Sequence, residues 1–240
     1  MMVETIVDKS RRAVPGFKIS QTLYLAAAAG SVIAAAVPSD RATRLVKPML
    51  MPLLLASNPP TTKAPIDASL LVAGLAGGWV GDIILLGKNS RSADPGIRAR
   101  NLNRGSAAFL VNQLAYHVLL LRSGARPTWK NAALRAPMIL GGVGLAAMRN
   151  PAALPAAGGY GSALALTSIL AQDSSSKAAL GGNLFVLSDA LILGRLTLLK
   201  EGSRIDALTD AGVMATYTVA QLLLVDSVTN STQSHSKPRI

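Results

Sequence analysis

The chain has no cysteine and only two histidines. Disulfides, thiolate nucleophiles and cysteine-bound metals are therefore excluded, and two histidines give little basis for a metal site. Charge is scarce as well. Only 15% of residues are Asp, Glu, Lys or Arg, against about 25% in soluble domains. Acids are the rarer sign, 12 against 24 basic residues, for a formal net charge of +12. Aromatics make up 4% of the 240 residues, and no basic patch interleaves with them on a soluble surface, so nucleic acid is not an expected partner. A serine nucleophile elbow and a His-Glu-x-x-His zinc motif are both absent. The glycines at 74, 77, 78 and 81 follow no strand and so form no phosphate loop. They are expected to let helices approach closely, as are Gly181 and Gly182.

Apolar length is what the sequence has in quantity. Half of the residues are hydrophobic and the mean hydropathy is +0.38. Stretches of about 17–25 residues, each sufficient for a hydrocarbon core of roughly 30 Å, recur along the chain. Eight are expected, near 20–37, 43–57, 68–87, 105–122, 132–148, 151–171, 177–199 and 209–228. The second is short and is broken by Pro48 and Pro52. Eight spans use most of the length, so residues 1–240 form one polytopic membrane domain with polar tails at 1–18 and 230–240. The first span follows Lys9, Arg11, Arg12 and Lys18 but is longer than a signal-peptide core, and it reads as a retained helix. Basic residues lie mostly beside the spans, where they meet anionic headgroups. They divide evenly, 12 to each side, so the positive-inside rule gives no orientation. Only the four ahead of the first span lean the N-terminus of this cell-membrane protein toward the cytoplasm.

Two of the few acids lie inside apolar spans, in nearly the same phrase: Gly81-Asp82-Ile83-Ile84-Leu85-Leu86-Gly87-Lys88 and Ser188-Asp189-Ala190-Leu191-Ile192-Leu193-Gly194-Arg195. An ionisable group at membrane depth costs about 2.5–3.5 kcal/mol on insertion scales, which makes each a functional candidate. Spans three and seven run in the same direction, and helix rise puts the two aspartates within roughly 3 Å of one depth. Lys47, Gln113, Tyr116, Tyr160, Tyr217 and Gln221 map to the same half of the bilayer. Gln113 shares a helix face with Tyr116 and His117, and Tyr217 shares one with Gln221. A polar cluster in one leaflet is the economical reading. Gln113 follows Asp82 by 31 residues and Gln221 follows Asp189 by 32, while Pro48/Pro52 and Pro151/Pro155 share a spacing of four. Duplication of a four-helix unit would account for these correspondences; chance similarity in an Ala-, Leu- and Gly-rich sequence is the alternative.

The same residues carry a family resemblance. Lys47-Pro48 with Pro52-Leu53-Leu54, Gly81-Asp82, Phe109…Tyr116, Tyr160, Phe185-x-x-Ser188-Asp189 and Tyr217-x-x-x-Gln221 occur in the order found in the YhhN-like lysoplasmalogenases. The chain resembles these eight-span membrane proteins from residue 47 to 221. It departs from their pattern at Gln113, where histidine would stand; His117, four residues on, shares that face. The resemblance implies an all-α bundle of eight transmembrane helices. It also implies hydrolysis of the vinyl ether bond of lysoplasmalogens, a single-chain ether lipid, to a fatty aldehyde and a glycerophospho-alcohol, with no cofactor and no metal. The residues offer chemistry that fits. Two carboxyls with separate acid and base roles suit protonation of an alkene carbon followed by attack of water on an oxocarbenium ion, much as in glycoside hydrolysis. Asp82 and Asp189 are the catalytic candidates. Lys47, Gln113, Tyr116, His117, Tyr160, Asn183, Ser188, Tyr217 and Gln221 are the candidates for binding a lysophospholipid or other ether lipid that enters from the membrane.

Each candidate has a plainer reading. The aspartates can be structural interhelical partners, Lys47 and Arg195 can snorkel to headgroups, and Gln113, Gln221 and Asn183 can be interhelical glue. His117 suits a structural hydrogen bond. A carrier or lipid-binding protein using the aspartates as a proton or cation site is the rival from another functional class.

Overall fold

A computed structural model describes residues 19–37, 39–59 and 64–234, apart from the side chains of 231–234. The described residues contain helices and turns and no strand. The helices are α1 (Ile19–Ala36), α2 (Asp40–Val46), α3 (Leu50–Ser57), α4 (Pro65–Leu85), α5 (Pro95–Arg122), α6 (Trp129–Arg149), α7 (Gly161–Ser174), α8 (Ser176–Leu198) and α9 (Arg204–Ser234). Six segments are long and apolar enough to cross a membrane: α1, α4, α6, the run 151–174 that ends in α7, α8 and α9. Six spans on length and composition therefore stand where eight are expected, and the reasons differ. The second expected span is α2 and α3 joined by a 3-10 turn, Lys47–Met49, with Pro48 inside it. Proline removes a donor and clashes with the preceding turn, so one continuous helix cannot form there. α5 has 28 residues, about 42 Å of helix, but Asn112, Gln113 and His117 dilute its apolar half. Of the polar tails, 1–18 lies outside the described residues, whereas the helix of the last span continues to Ser234.

Helix boundaries follow local chemistry. Asp94 caps α5 by accepting from the backbone N–H of Gly96 at 2.7 Å, with Pro95 at the first helical position. Ser175 caps α8 through the Ala178 N–H at 3.1 Å. The chain leaves α5 through Gly124 at φ 101° and enters α9 past Gly202 at φ 74°, left-handed conformations that suit glycine.

Packing is densest where side chains are smallest. A Cβ on Gly74 would lie 2.7 Å from the Ala115 Cβ, and one on Gly77 would lie 2.8 Å from the Val111 Cβ. α4 and α5 thus touch backbone to backbone, as expected for small residues in membrane helices. Gly181 meets α9 at Ala220, Leu223 and Leu224, and Gly182 meets Ser168 of α7. Gly74 and Gly181 each precede an aspartate by eight residues. α6 is the loose member: only Arg135 and Ala146 of its side chains are buried, and a Cβ on Gly141 or Gly144 would meet nothing within 4 Å.

Candidate active site

Two breaks in regular helix sit beside the site. Lys47 opens the 3-10 turn between α2 and α3. The freed Pro48 carbonyl accepts from the Trp79 indole N–H of α4 at 2.8 Å, satisfying a polar group that lipid could not. Tyr160 closes a π-helical turn, Pro155–Tyr160, that leads into α7. Such wide turns recur at functional sites because they shift a side chain out of helical register.

Asp82 lies in the last turn of α4 and is almost fully buried. Lys47 reaches it with Nζ 3.3 Å from one carboxylate oxygen, the lysine side chain being 15% exposed and the aspartate 2%. The Tyr217 hydroxyl of α9 donates to the other oxygen at 2.8 Å. Lys47 therefore does not snorkel; it compensates a buried acid. Asp189, in α8, has different company. No salt bridge reaches it among the described residues. Tyr160 is its polar neighbour on the wall of the same cavity. Behind each tyrosine stands a glutamine. Gln221 lies near the Tyr217 hydroxyl and Gln113 near that of Tyr160, but the buried Nε2 of Gln113 has no hydrogen-bond partner among the described residues. Gln221 also accepts from the Tyr116 hydroxyl at 2.5 Å and donates to the Asn112 side chain at 3.3 Å. The Gln113 carbonyl oxygen accepts from Thr167 at 2.6 Å.

Both aspartates line one cavity of about 260 Å³. They do so although α4 ends three residues beyond Asp82 and α8 continues nine beyond Asp189. Lys47, Ser106, Tyr160, Ser188 and Tyr217 supply the rest of its polar wall. Met138, Ile139 and Leu145 of α6, Leu164 of α7 and Val186 and Ile192 of α8 supply apolar wall. The cavity is mostly apolar with a few convergent polar groups, the composition of small-molecule sites generally. Phe109 is part of its wall. Its ring lies 6.4 Å from Tyr160, 6.0 Å from Tyr217 and 6.5 Å from Phe185. Few as the aromatics are, four of them gather here.

Five binding candidates do not line the cavity. Gln113, Tyr116 and Gln221 form the fully buried layer behind it, since their helix faces turn toward α7, α9 and α5 respectively. His117 does not take the place that Gln113 leaves: its Nε2–H donates to the Ala163 carbonyl at 2.8 Å, which makes it a clamp between α5 and α7. Asn183 lies six residues before Asp189 and belongs to another cluster. It accepts from Ser168 at 3.1 Å and from the guanidinium of Arg135. Arg195 does not snorkel either. Its Nε donates to Asp206 at 2.8 Å and its Nη1 to Asp210, both on α9. Sequence reading missed this arrangement, although Asp206 and Asp210 share a helix face by their spacing of four. Phe109, part of the family pattern but not a binding candidate, is wall of the cavity, and Arg135 is a buried group that no signal in the local sequence singles out. No group of three His, Asp or Glu side chains placed to hold a metal ion occurs among the described residues.

The model of the YhhN family matches residues 42–228. The chain belongs to the YhhN family. The match takes in every element of this YhhN-family site, from Lys47 to Gln221. Neither a curated protein nor a solved structure matches the chain.

Proposed function

We propose that this membrane protein hydrolyses the vinyl ether bond of lysoplasmalogen-type lipids, with Asp189 as the acid and Asp82 as the base. The observation that carries the reading is a pair of carboxyls from separate helices on one apolar cavity, in unlike surroundings. Asp82 has a cation and a tyrosine donor beside it, which suits an ionised acceptor. Asp189 has no cation paired to it, which suits a proton carrier. α5 and the α2–α3 segment complete eight passes in this reading, and the paired Gly–Asp spacings of α4 and α8 favour two four-helix repeats.

Asp189 gives its proton to the alkene carbon remote from oxygen, and the π pair becomes the new C–H bond. The neighbouring carbon is left as an oxocarbenium ion. Phe109, Tyr160 and Tyr217 turn aromatic rings toward this cavity, and a ring face attracts such a cation by roughly 0.5–2 kcal/mol. A water bonds to the cationic carbon while Asp82 takes its proton, giving a hemiacetal. On collapse, Asp189 takes the hemiacetal hydroxyl proton, the C–O bond to glycerol breaks, and Asp82 returns its proton to the leaving oxygen. Fatty aldehyde and glycerophospho-alcohol are released and both carboxyls regain their starting states. The loosely packed α6 suits lateral entry of the alkyl chain, because it forms one wall of the cavity and buries little of its own surface.

Purified protein in detergent is expected to release aldehyde from a defined lysoplasmalogen. Asp82→Asn and Asp189→Asn are each expected to lower turnover by about 10²–10⁴, the usual worth of a positioned acid or base, with helix content unchanged. Wild-type turnover in both variants would overturn the reading and leave the aspartates as carrier or structural groups.

A further inference from the structure

A second cavity, of about 350 Å³, adjoins the first and shares Lys47, Leu85 and Met214 with it as common wall. It differs in character. It reaches the turn between α4 and α5 and the turn between α8 and α9, at the ends of those helices, and four basic side chains line it, Lys47, Arg91, Arg98 and Arg195, together with three acidic ones, Asp206, Asp210 and the exposed Glu201. Three of them are already compensated. Lys47 pairs with Asp82, Arg91 with Asp40, and Arg195 with Asp206 and Asp210. Arg98, half-buried in the first turn of α5, is not. Its Nη1 donates to the backbone carbonyls of Ser92 at 2.6 Å and Ala93 at 3.4 Å, and among the described residues it has no acidic partner. Those two bonds hold the guanidinium in place and leave Nε and Nη2 without a hydrogen bond among the described residues.

We infer that this chamber is the subsite for the phosphate ester of the substrate and that Arg98 is its ligand. A guanidinium with two free donors on one edge matches a phosphate bidentately. The two cavities meet at Lys47, which stands beside Asp82. A single-chain phospholipid would therefore lay its alkyl chain in the apolar cavity, present the first glycerol carbon at Asp82 and Asp189, and carry its phosphate to Arg98. The division agrees with depth: the polar chamber sits at the helix ends, where headgroups lie, and the apolar one deeper. The assignment rests on the hydrolase reading for the position of the scissile bond, but not for the binding of phosphate.

The test measures binding to purified protein in detergent of three probes. One is a saturated 1-O-alkyl lysophospholipid, which has no vinyl ether to cleave. The second is the matching 1-O-alkylglycerol, without phosphate, and the third is sn-glycerol 3-phosphate, without a chain. Wild type is expected to prefer the lysophospholipid over the alkylglycerol, and Arg98→Gln to lose roughly 10- to 100-fold of that preference, the worth of a charge-assisted hydrogen-bonded contact. A general folding defect lowers both lipids together and leaves their ratio, so the ratio is the readout. Arg98→Lys, which keeps the charge but not the fork, is expected to fall between the two. A ratio unchanged in both variants overturns the assignment. Binding of sn-glycerol 3-phosphate as tight as that of the lipid overturns the headgroup source and makes the chamber a site for soluble phosphate esters. Loss of the ratio in Arg98→Gln, in a protein that releases no aldehyde, keeps the phosphate site and rejects the hydrolase reading instead.

Discussion

Replacing Lys47 by methionine isolates the contact that distinguishes the two acids. The substitution keeps an unbranched side chain of similar length and removes the charge 3.3 Å from Asp82. The carboxylate it leaves behind is 2% exposed and retains only the Tyr217 hydroxyl at 2.8 Å. Removing one partner of a buried ion pair destabilises by about 3–5 kcal/mol, because an uncompensated charge stays in low dielectric. For a chain of this size that corresponds to a fall in Tm on the order of 10 °C. Asp82→Asn is expected to cost less, since Lys47 is 15% exposed and its four-carbon stem can carry the ammonium toward the headgroups. The double variant Lys47→Met with Asp82→Asn removes both charges and is expected to recover most of the loss seen in Lys47→Met alone. Thermal unfolding in one detergent, followed by tryptophan fluorescence and helix content, gives the three differences and the coupling between them. Simple addition of the two single penalties, or a Tm of Lys47→Met equal to wild type, would refute the argument that lysine compensates a buried acid.

Two further outcomes follow from packing and from the buried layer behind the tyrosines. Gly81→Ala would place a Cβ 2.4 Å from the Phe109 ring, so it is expected to lose about 1–3 kcal/mol as an overpacked site; Gly141→Ala, with nothing within 4 Å, is expected to stay within about 0.5 kcal/mol of wild type, and equal Tm shifts for the pair would contradict the packing. Gln113→Leu removes the amide beside Tyr160, whose buried Nε2 has no partner among the described residues, and takes from the Thr167 hydroxyl its acceptor at 2.6 Å, leaving it the Ala163 carbonyl at 3.4 Å. It is expected to lower kcat for aldehyde release more than it raises KM, with Gln113→His, the residue of the family pattern, restoring part of the rate. Equal effects of leucine and histidine would deny Gln113 any part in orienting Tyr160.

The sequence made some of this legible and hid the rest for identifiable reasons. Apolar length located most helices to within a few residues, because a membrane span must be continuous and every backbone group in it must bond internally; α5 begins at Pro95 and α9 ends at Ser234, well beyond the apolar stretches at 105–122 and 209–228, because polar turns continue those helices. The same constraint made Asp82 and Asp189 conspicuous, and Pro48 announced the break at which Lys47 sits. What did not show was the pairing of acids with tyrosines. Tyr217 follows Asp189 in the chain by 28 residues yet donates to Asp82, while Tyr160 lies beside Asp189 on the cavity wall. Those partners depend on how helices are arranged around one another, and hydropathy carries no record of that. His117 illustrates the opposite failure. Its spacing from Gln113 is correct for a shared helix face, but the Ala163 carbonyl of α7 claims its Nε2–H at 2.8 Å, and no pattern within α5 can reveal an acceptor on another helix.

The near-identity of the two acidic phrases is therefore a poor guide to what each acid does. Gly81-Asp82-Ile83 and Ser188-Asp189-Ala190 each place a carboxyl in an apolar helix, with a glycine eight residues earlier that lies close to a neighbouring helix. The tyrosine–glutamine pairs repeat as well, Tyr217 with Gln221 and Tyr160 with Gln113. The asymmetry enters through the proline-broken turns. Pro48 opens the helix at Lys47 and brings a cation to Asp82, whereas Pro151 and Pro155 open it at a π-turn that ends in Tyr160 and brings no cation. One charged residue at one break is enough to separate the two electrostatic environments, since a cation 3–4 Å from a carboxylate in low dielectric outweighs any difference among neutral neighbours. The two carboxyls have unlike surroundings, and in this fold the charged difference between them is Lys47.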